Sequence, residues 1–135
     1  MTRRYAEDTK VPINQSIAEI QKTVARYAGE QFIYAVGDDR IVVAFTKEAR
    51  QVRFQVTQDP KEPQNNRRLA RALLLVMKAK LEAVASGVSV FEQEFLGNIV
   101  MPDGQSVAHH VRPRIATAYE TGEMPPMLPD FSGGS

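Results

Sequence analysis

Apolar and polar positions change their spacing several times along this chain, and each change marks an element. Ile17, Ile20, Val24 and Tyr27 recur at helical spacing and predict a first helix with one apolar face. Its start falls at Asn14 or Ser16, both good N-caps, and Ser16 with Glu19 has the capping-box spacing. Gly29 is the expected terminator. Three alternating segments follow. Phe32, Tyr34 and Val36 share one face of the first; Ile41, Val43 and Phe45 oppose Val42, Ala44 and Thr46 in the second. In the third, Val52, Phe54 and Val56 point inward while Gln51, Arg53, Gln55 and Thr57 point outward. The connections Gly37-Asp38-Asp39-Arg40 and Lys47-Glu48-Ala49-Arg50 are short, which predicts an antiparallel meander with one face covered by helices.

A loop from Gln58 to Asn65, carrying Pro60 and Pro63, separates the meander from a long helical run. That run, Asn66 to Val84, has no interior Gly or Pro and closes at Gly87. Ser89 with Glu92 repeats the capping-box spacing before a short helix through Phe91, Phe95 and Leu96. Met101-Pro102-Asp103-Gly104 reads as a turn. A last helix covers Val107 to Tyr119, with Pro113 as a start or kink inside it. The fold class is therefore α+β: an α-β-β-β-α core, with the three-stranded antiparallel meander packed on helices, and a helical C-terminal extension. Residues 1–12 read as a flexible arm, 13–122 as a single domain and 123–135 as an extended, Pro-rich tail with disordered last residues.

Composition narrows the function classes. The chain of 135 residues has no cysteine, which excludes disulfides, thiolate nucleophiles and cysteine-based zinc sites. No apolar run approaches the roughly 18 residues of a membrane span, and no signal peptide can be read at the N-terminus. The expected location is a cytoplasm, with no membrane partner. Net charge is only +1, so any attraction for anions must come from local clustering.

That clustering occurs on the long helix. On a helical wheel Leu69, Leu73, Val76, Met77, Leu81 and Val84 gather into an arc facing the sheet. Arg67, Arg71 and Lys78 line up within roughly 40° of one another on a neighbouring flank, with Arg68 beside them. Cations in a first helical turn oppose the helix dipole at a cost of a few tenths of a kcal/mol each. An external anion compensates that cost, because the cations and the free backbone N–H groups point the same way. The competing reading is a solvated flank paired with Asp59, Glu62 or Glu82. Arg40, Lys47, Arg50 and Arg53 extend a patch only if they share its face. The sequence thus predicts a non-enzymatic protein that contacts DNA or RNA phosphates through Arg67, Arg68, Arg71 and Lys78, joined by Arg53, without cofactor or metal.

Two resemblances bear on this. The α-β-β-β-α order, with Arg67-Arg68-Leu69-Ala70-Arg71 opening its last helix, looks like a double-stranded-RNA-binding domain over residues 14–86. It departs where that family carries a Gly-Pro-x-His loop, since Gly37-Asp38-Asp39-Arg40 places two acids there. Separately, Lys78-Ala79-Lys80-Leu81-Glu82-Ala83-Val84, Phe91-Glu92-Gln93-Glu94-Phe95-Leu96 and Ile99-Val100-Met101-Pro102-Asp103-Gly104 resemble a group of small uncharacterised phage and prophage proteins. The segment Ala118 to Pro129 fits the same pattern. That resemblance implies a bacterial host cytoplasm, and partners among nucleic acids or host and phage proteins; it brings no site residues.

Catalytic constellations are sparse. His109 and His110 are adjacent, so they point about 100° apart on a helix and cannot easily share a metal. Either can form an acid–base pair with Glu92, Glu94 or Asp103 if the fold brings them together. No Gly-rich phosphate loop or nucleophile elbow is present. Phe32, Phe45 and Phe54 read as core, and Tyr34 is the aromatic with an open claim to base stacking. The tail Met124-Pro125-Pro126-Met127-Leu128-Pro129-Asp130-Phe131 joins stiff prolines to apolar anchors. The alternative function is accordingly a protein-interaction module, a homo-oligomer or an inhibitor of a host protein, using the C-terminal helices and this tail.

Overall fold

A computed structural model describes residues 10–28 and 31–129. The expected arm at 1–12 therefore falls mostly outside the described residues, as do Gly29 and the end of the tail from Asp130. The element order is α1 (Ile13–Tyr27), β1 (Phe32–Val36), β2 (Arg40–Lys47), β3 (Arg50–Thr57), α2 (Pro63–Ala85), α3 (Phe91–Glu94) and α4 (Val107–Thr121), with a 3-10 turn at Leu96–Asn98. This is the α-β-β-β-α core with a helical extension.

The sheet has the order β1-β2-β3 and both pairings are antiparallel. Its register sets Tyr34 opposite Val43 and Val43 opposite Phe54, so the apolar rows share one face across all three strands, although Tyr34 and Val36 of β1 stay exposed. On that face α1 contributes Ile17, Ile20 and Val24, and α2 contributes Ala70, Leu73, Leu74, Met77 and Leu81. Val76, placed in the apolar arc by its wheel angle, is 46% exposed, while Asn66, Ala70 and Leu74 are buried instead. The buried arc is turned toward Leu74 because α2 packs on α1 as well as on the sheet. A helix with two neighbours buries a broader stripe than one lying on a sheet alone.

Phe91 and Phe95 close the core at its far end. Phe95 is fully buried and meets Phe45 and Phe54 edge-on, at centroid distances of 5.6 and 6.1 Å. The chain then returns along β3: Val100 N–H donates to the Gln51 carbonyl at 2.9 Å, and Asn98 Nδ2 donates to the Arg53 carbonyl at 3.1 Å. The C-terminal extension thus covers the first half of the outer edge of β3, at residues 51–53. The edge of β1 has no such cover among the described residues.

Several capping expectations are corrected. Neither Asn14 nor Ser16 caps α1; the cap position is Pro12, whose carbonyl accepts from Gln15 and Ser16 N–H. Ser16 lies within the helix, fully buried, and its Oγ has no hydrogen-bond partner. Ser89 does not cap α3, where Val90 holds that position without a side-chain bond. Capping-box spacing is short-range information, and the packed neighbours set the helix phase instead. α2 starts at Pro63, whose fixed φ and missing N–H suit a first helical position. Gly87, with φ of 85°, takes the left-handed turn after α2. The β2–β3 connection places Glu48 and Ala49 at φ of 53° and 62°, the mirror-type hairpin turn, with no glycine or asparagine to relieve it.

Candidate nucleic-acid interface

The start of α2 is fixed by a local clamp. Asn66 Nδ2 donates to the Asp59 carbonyl at 2.7 Å, and Asp59 N–H donates back to Asn66 Oδ1 at 3.2 Å. Gln58 N–H donates to the Asp39 carbonyl at 2.7 Å, which ties the same loop to the β1–β2 turn. The helix therefore leaves the sheet at a set angle and carries its cations with it.

The two core helices run in the same direction. Ile13 and Asn14 share a shallow depression of about 390 Å³ with Pro63, Asn66 and Arg67. Halfway along, Arg71 pairs with Glu19. At the far end Tyr27 Oη donates to Glu82 Oε1 at 3.3 Å. Both N-termini thus open at one end of the domain. Neither has a side-chain cap or an acid in its first turn, although the acidic Glu62 holds the cap position of α2 and offsets part of its positive end.

Charge is segregated onto this layer. α1 and α2 together hold seven basic and two acidic side chains, a net charge of +5 against +1 for the whole chain. The remainder is therefore net acidic. Lys22 and Arg26 belong to this layer and were missed by reasoning from the long helix alone. They stand at i, i+4 on the exposed side of α1, opposite its buried stripe. That spacing was the available signal.

The expected basic residues differ in their freedom. Lys78 is exposed. Arg68 is half-buried, and its Nε and Nη2 donate to Asn65 Oδ1 at 3.0 and 2.8 Å. Arg67 lines the depression at the helix starts, and its Nε is buried without a hydrogen-bond partner. Arg71 is engaged by Glu19 and offers a compensated charge. Arg53 stands apart from these four. It pairs in register with Ala44, on the sheet face opposite the row of Val43 and Phe54, so the sheet lies between it and the helices. Arg50 is also elsewhere, with Nε 3.2 Å from Glu92 Oε2.

The other candidate residues fall into three places on or beside the C-terminal extension. His110 Nε2 lies 2.7 Å from Asp103 Oδ2, an ion-pair distance without well-aligned hydrogen-bond geometry. The Asp103 carboxyl is held below its ordinary range, first by the Gln105 backbone N–H and then by the charge of His110, against the opposing effect of desolvation. His109 is exposed and lines a separate shallow depression with Ala108, Arg112 and Pro113. Glu94 is likewise lowered, chiefly because Lys80 Nζ donates to its Oε2 at 3.0 Å. These pairs staple elements together, and the His109 ring meets that of His110 edge-on at a centroid distance of 5.4 Å. Nearby, Leu96, Met101, Pro102, Val107, Val111 and Leu128 line an apolar groove of about 780 Å³. The tail thus reaches back onto the extension through Leu128. Among the described residues no helix is long and apolar enough to cross a membrane.

Compared with protein-family models, with curated proteins and with solved structures, the chain matches none.

Proposed function

We propose that this protein binds the phosphate backbone of nucleic acid across the outer face of its two parallel helices, without catalysis. The observation that carries the reading is the segregation of charge: a layer of +5 on a molecule of +1, with both helix N-termini uncapped at one end of it. Lys22, Arg26, Arg67, Arg68 and Lys78 supply the contacts. Their long side chains reach phosphates without reading bases, so affinity is largely independent of sequence. The acidic Asp38 and Asp39 of the β1–β2 turn form the boundary of the surface. The resemblance to small phage and prophage proteins agrees with a role in the cytoplasm of a bacterial host.

Fluorescence anisotropy with labelled single-stranded DNA, duplex DNA and duplex RNA over a salt series tests this. Five neutralised phosphates give a slope of log affinity against log salt of about −4.5 for duplex DNA. Replacing Arg67 and Lys78 by Ala should reduce its size by about 1.8. Absence of binding to all three at low salt refutes the reading.

The apolar groove that receives Leu128 supports a second reading, a protein-interaction module at the C-terminal extension. Deleting residues 123–135 and measuring partner capture separates the two, since the deletion leaves the helical layer intact.

A further inference from the structure

The edge of β1, unpaired among the described residues, carries a surface that neither reading uses. Backbone pairing across the first hairpin alternates, and its phase is set at both ends. Gly37 N–H donates to the Arg40 carbonyl at 2.9 Å, and Thr46 N–H donates to the Gln31 carbonyl at 3.1 Å. Ile33 and Ala35 therefore spend their backbone groups on β2. The N–H and C=O groups of Phe32, Tyr34 and Val36 point away from the sheet. Sheet edges are commonly blunted by a charge, a proline or a bulge. β1, Phe-Ile-Tyr-Ala-Val, has no charged residue or proline and is paired in unbroken register. The opposite edge is engaged at Gln51 and Arg53 by Val100 and Asn98, whereas β1 is met by no such segment among the described residues.

The helix above this edge matches it. α1 turns Ile17, Ile20 and Val24 to the core and Glu19 and Tyr27 to α2. Its remaining flank, on the side away from α2, carries Asn14, Ala18, Gln21 and Ala25, all exposed and all uncharged. The cations Lys22 and Arg26 stand further round, toward solvent. An uncharged strand edge therefore continues into an uncharged flank, on a chain in which 24% of residues are charged.

The geometry points to a second copy of this chain as the occupant, with β1 pairing antiparallel to β1 of its partner about a two-fold axis at Tyr34. One register satisfies the edge. Tyr34 faces its own equivalent, and Phe32 faces Val36 in both directions. Each of these is a hydrogen-bonded pair, so every free N–H and C=O of the three residues is used. The same register sets Ile33 against Ala35 on the other face, large against small. Within Phe32–Val36 no charge opposes a charge. The axis stands perpendicular to the sheet, giving a six-stranded sheet with both helical layers on one side. The two α1 flanks approach through Ala18 and Ala25, whose small side chains permit close helix contact. Isologous contacts of this kind close on themselves and do not propagate. The contact is smaller than the roughly 20–30 residues a side of a standard interface, so the dimer is expected to be weak and concentration-dependent. The dimer doubles the basic layer on one face, although its formation does not depend on nucleic-acid binding.

Analytical ultracentrifugation of the full chain, over a concentration series up to about 1 mM without nucleic acid, reads the dimer directly. The expected result is a reversible monomer–dimer equilibrium. Tyr34→Pro removes an N–H that β2 does not use and should leave a folded monomer. A register-specific pair of variants decides the case even if that proline disturbs folding. Ile33→Lys with Ala35→Lys sets like charges across the axis and should abolish the dimer. Ile33→Lys with Ala35→Glu sets opposite charges there and should retain it. A wild-type protein that stays monomeric throughout overturns the proposal. So does a dimer that responds equally to both double variants.

Discussion

Glu19 restrains Arg71, and removing that restraint should strengthen nucleic-acid binding. Glu19→Gln keeps the shape of the side chain, deletes one negative charge from the helical layer and releases one positive charge. The ion pair is partly open to solvent, with side-chain exposures of 24% for Arg71 and 39% for Glu19. Its loss should therefore cost under about 1 kcal/mol of stability. The gain can be worked from counterion release. Each duplex phosphate neutralised adds about 0.9 to the size of the salt slope. One further contact then multiplies affinity about eightfold at 0.1 M salt, and about twofold at 0.5 M. Anisotropy titrations of wild type and variant at several salt concentrations measure both numbers. Glu19→Gln with Arg71→Ala is the control and should give up the steeper slope. A variant that is disordered or misfolded loses affinity, so a gain is hard to obtain by accident. If folded Glu19→Gln shows the wild-type slope and affinity, Arg71 does not lie in the interface and the helical layer is the wrong surface.

Other expectations concern stability and are read by urea or thermal denaturation. Phe95→Ala removes the ring that joins Phe45, Phe54 and Phe91 and should cost about 3–5 kcal/mol; a loss below about 1 kcal/mol would mean the extension is not part of the core. Ser16→Ala removes a buried, unpartnered hydroxyl from a helix and should stabilise by about 1 kcal/mol or more. Glu48→Asn with Ala49→Gly fits the mirror-type turn and should stabilise by about 1–2 kcal/mol; no gain would place the strain elsewhere. The lowered carboxyls of Glu94 and Asp103 give stability that is complete above their ordinary range and is lost as pH falls through the lower folded values. Denaturation midpoints should therefore drop as the pH falls below the ordinary carboxylate range of about 4, and Asp103→Asn should flatten part of that fall.

The periodicities of the chain determined its elements. Alternation in Val52, Phe54 and Val56, and the helical spacing of Ile17, Ile20 and Val24, each describe one face of one element. Such patterns survive because the core repeats them. Short connections likewise determined the meander, since two-residue turns leave strands no choice but antiparallel pairing. Caps and phases were decided by tertiary structure. Ser16 has the composition of a cap, yet the packing of α1 on α2 and the sheet draws it inward, and Val76 turns out to solvent for the same reason. The basic cluster was legible as a set of residue types but not as a surface. Which cations are free depends on partners far away in the chain, as Glu19 is for Arg71, and on which sheet face a residue occupies, as for Arg53. The edge of β1 belongs to the same class. Its uncharged composition is written in the sequence, but the fold decides that the C-terminal extension engages β3 at Gln51 and Arg53 while β1 stays unpaired among the described residues. Local pattern determines what each segment can form; long-range packing alone decides which of its groups remain available.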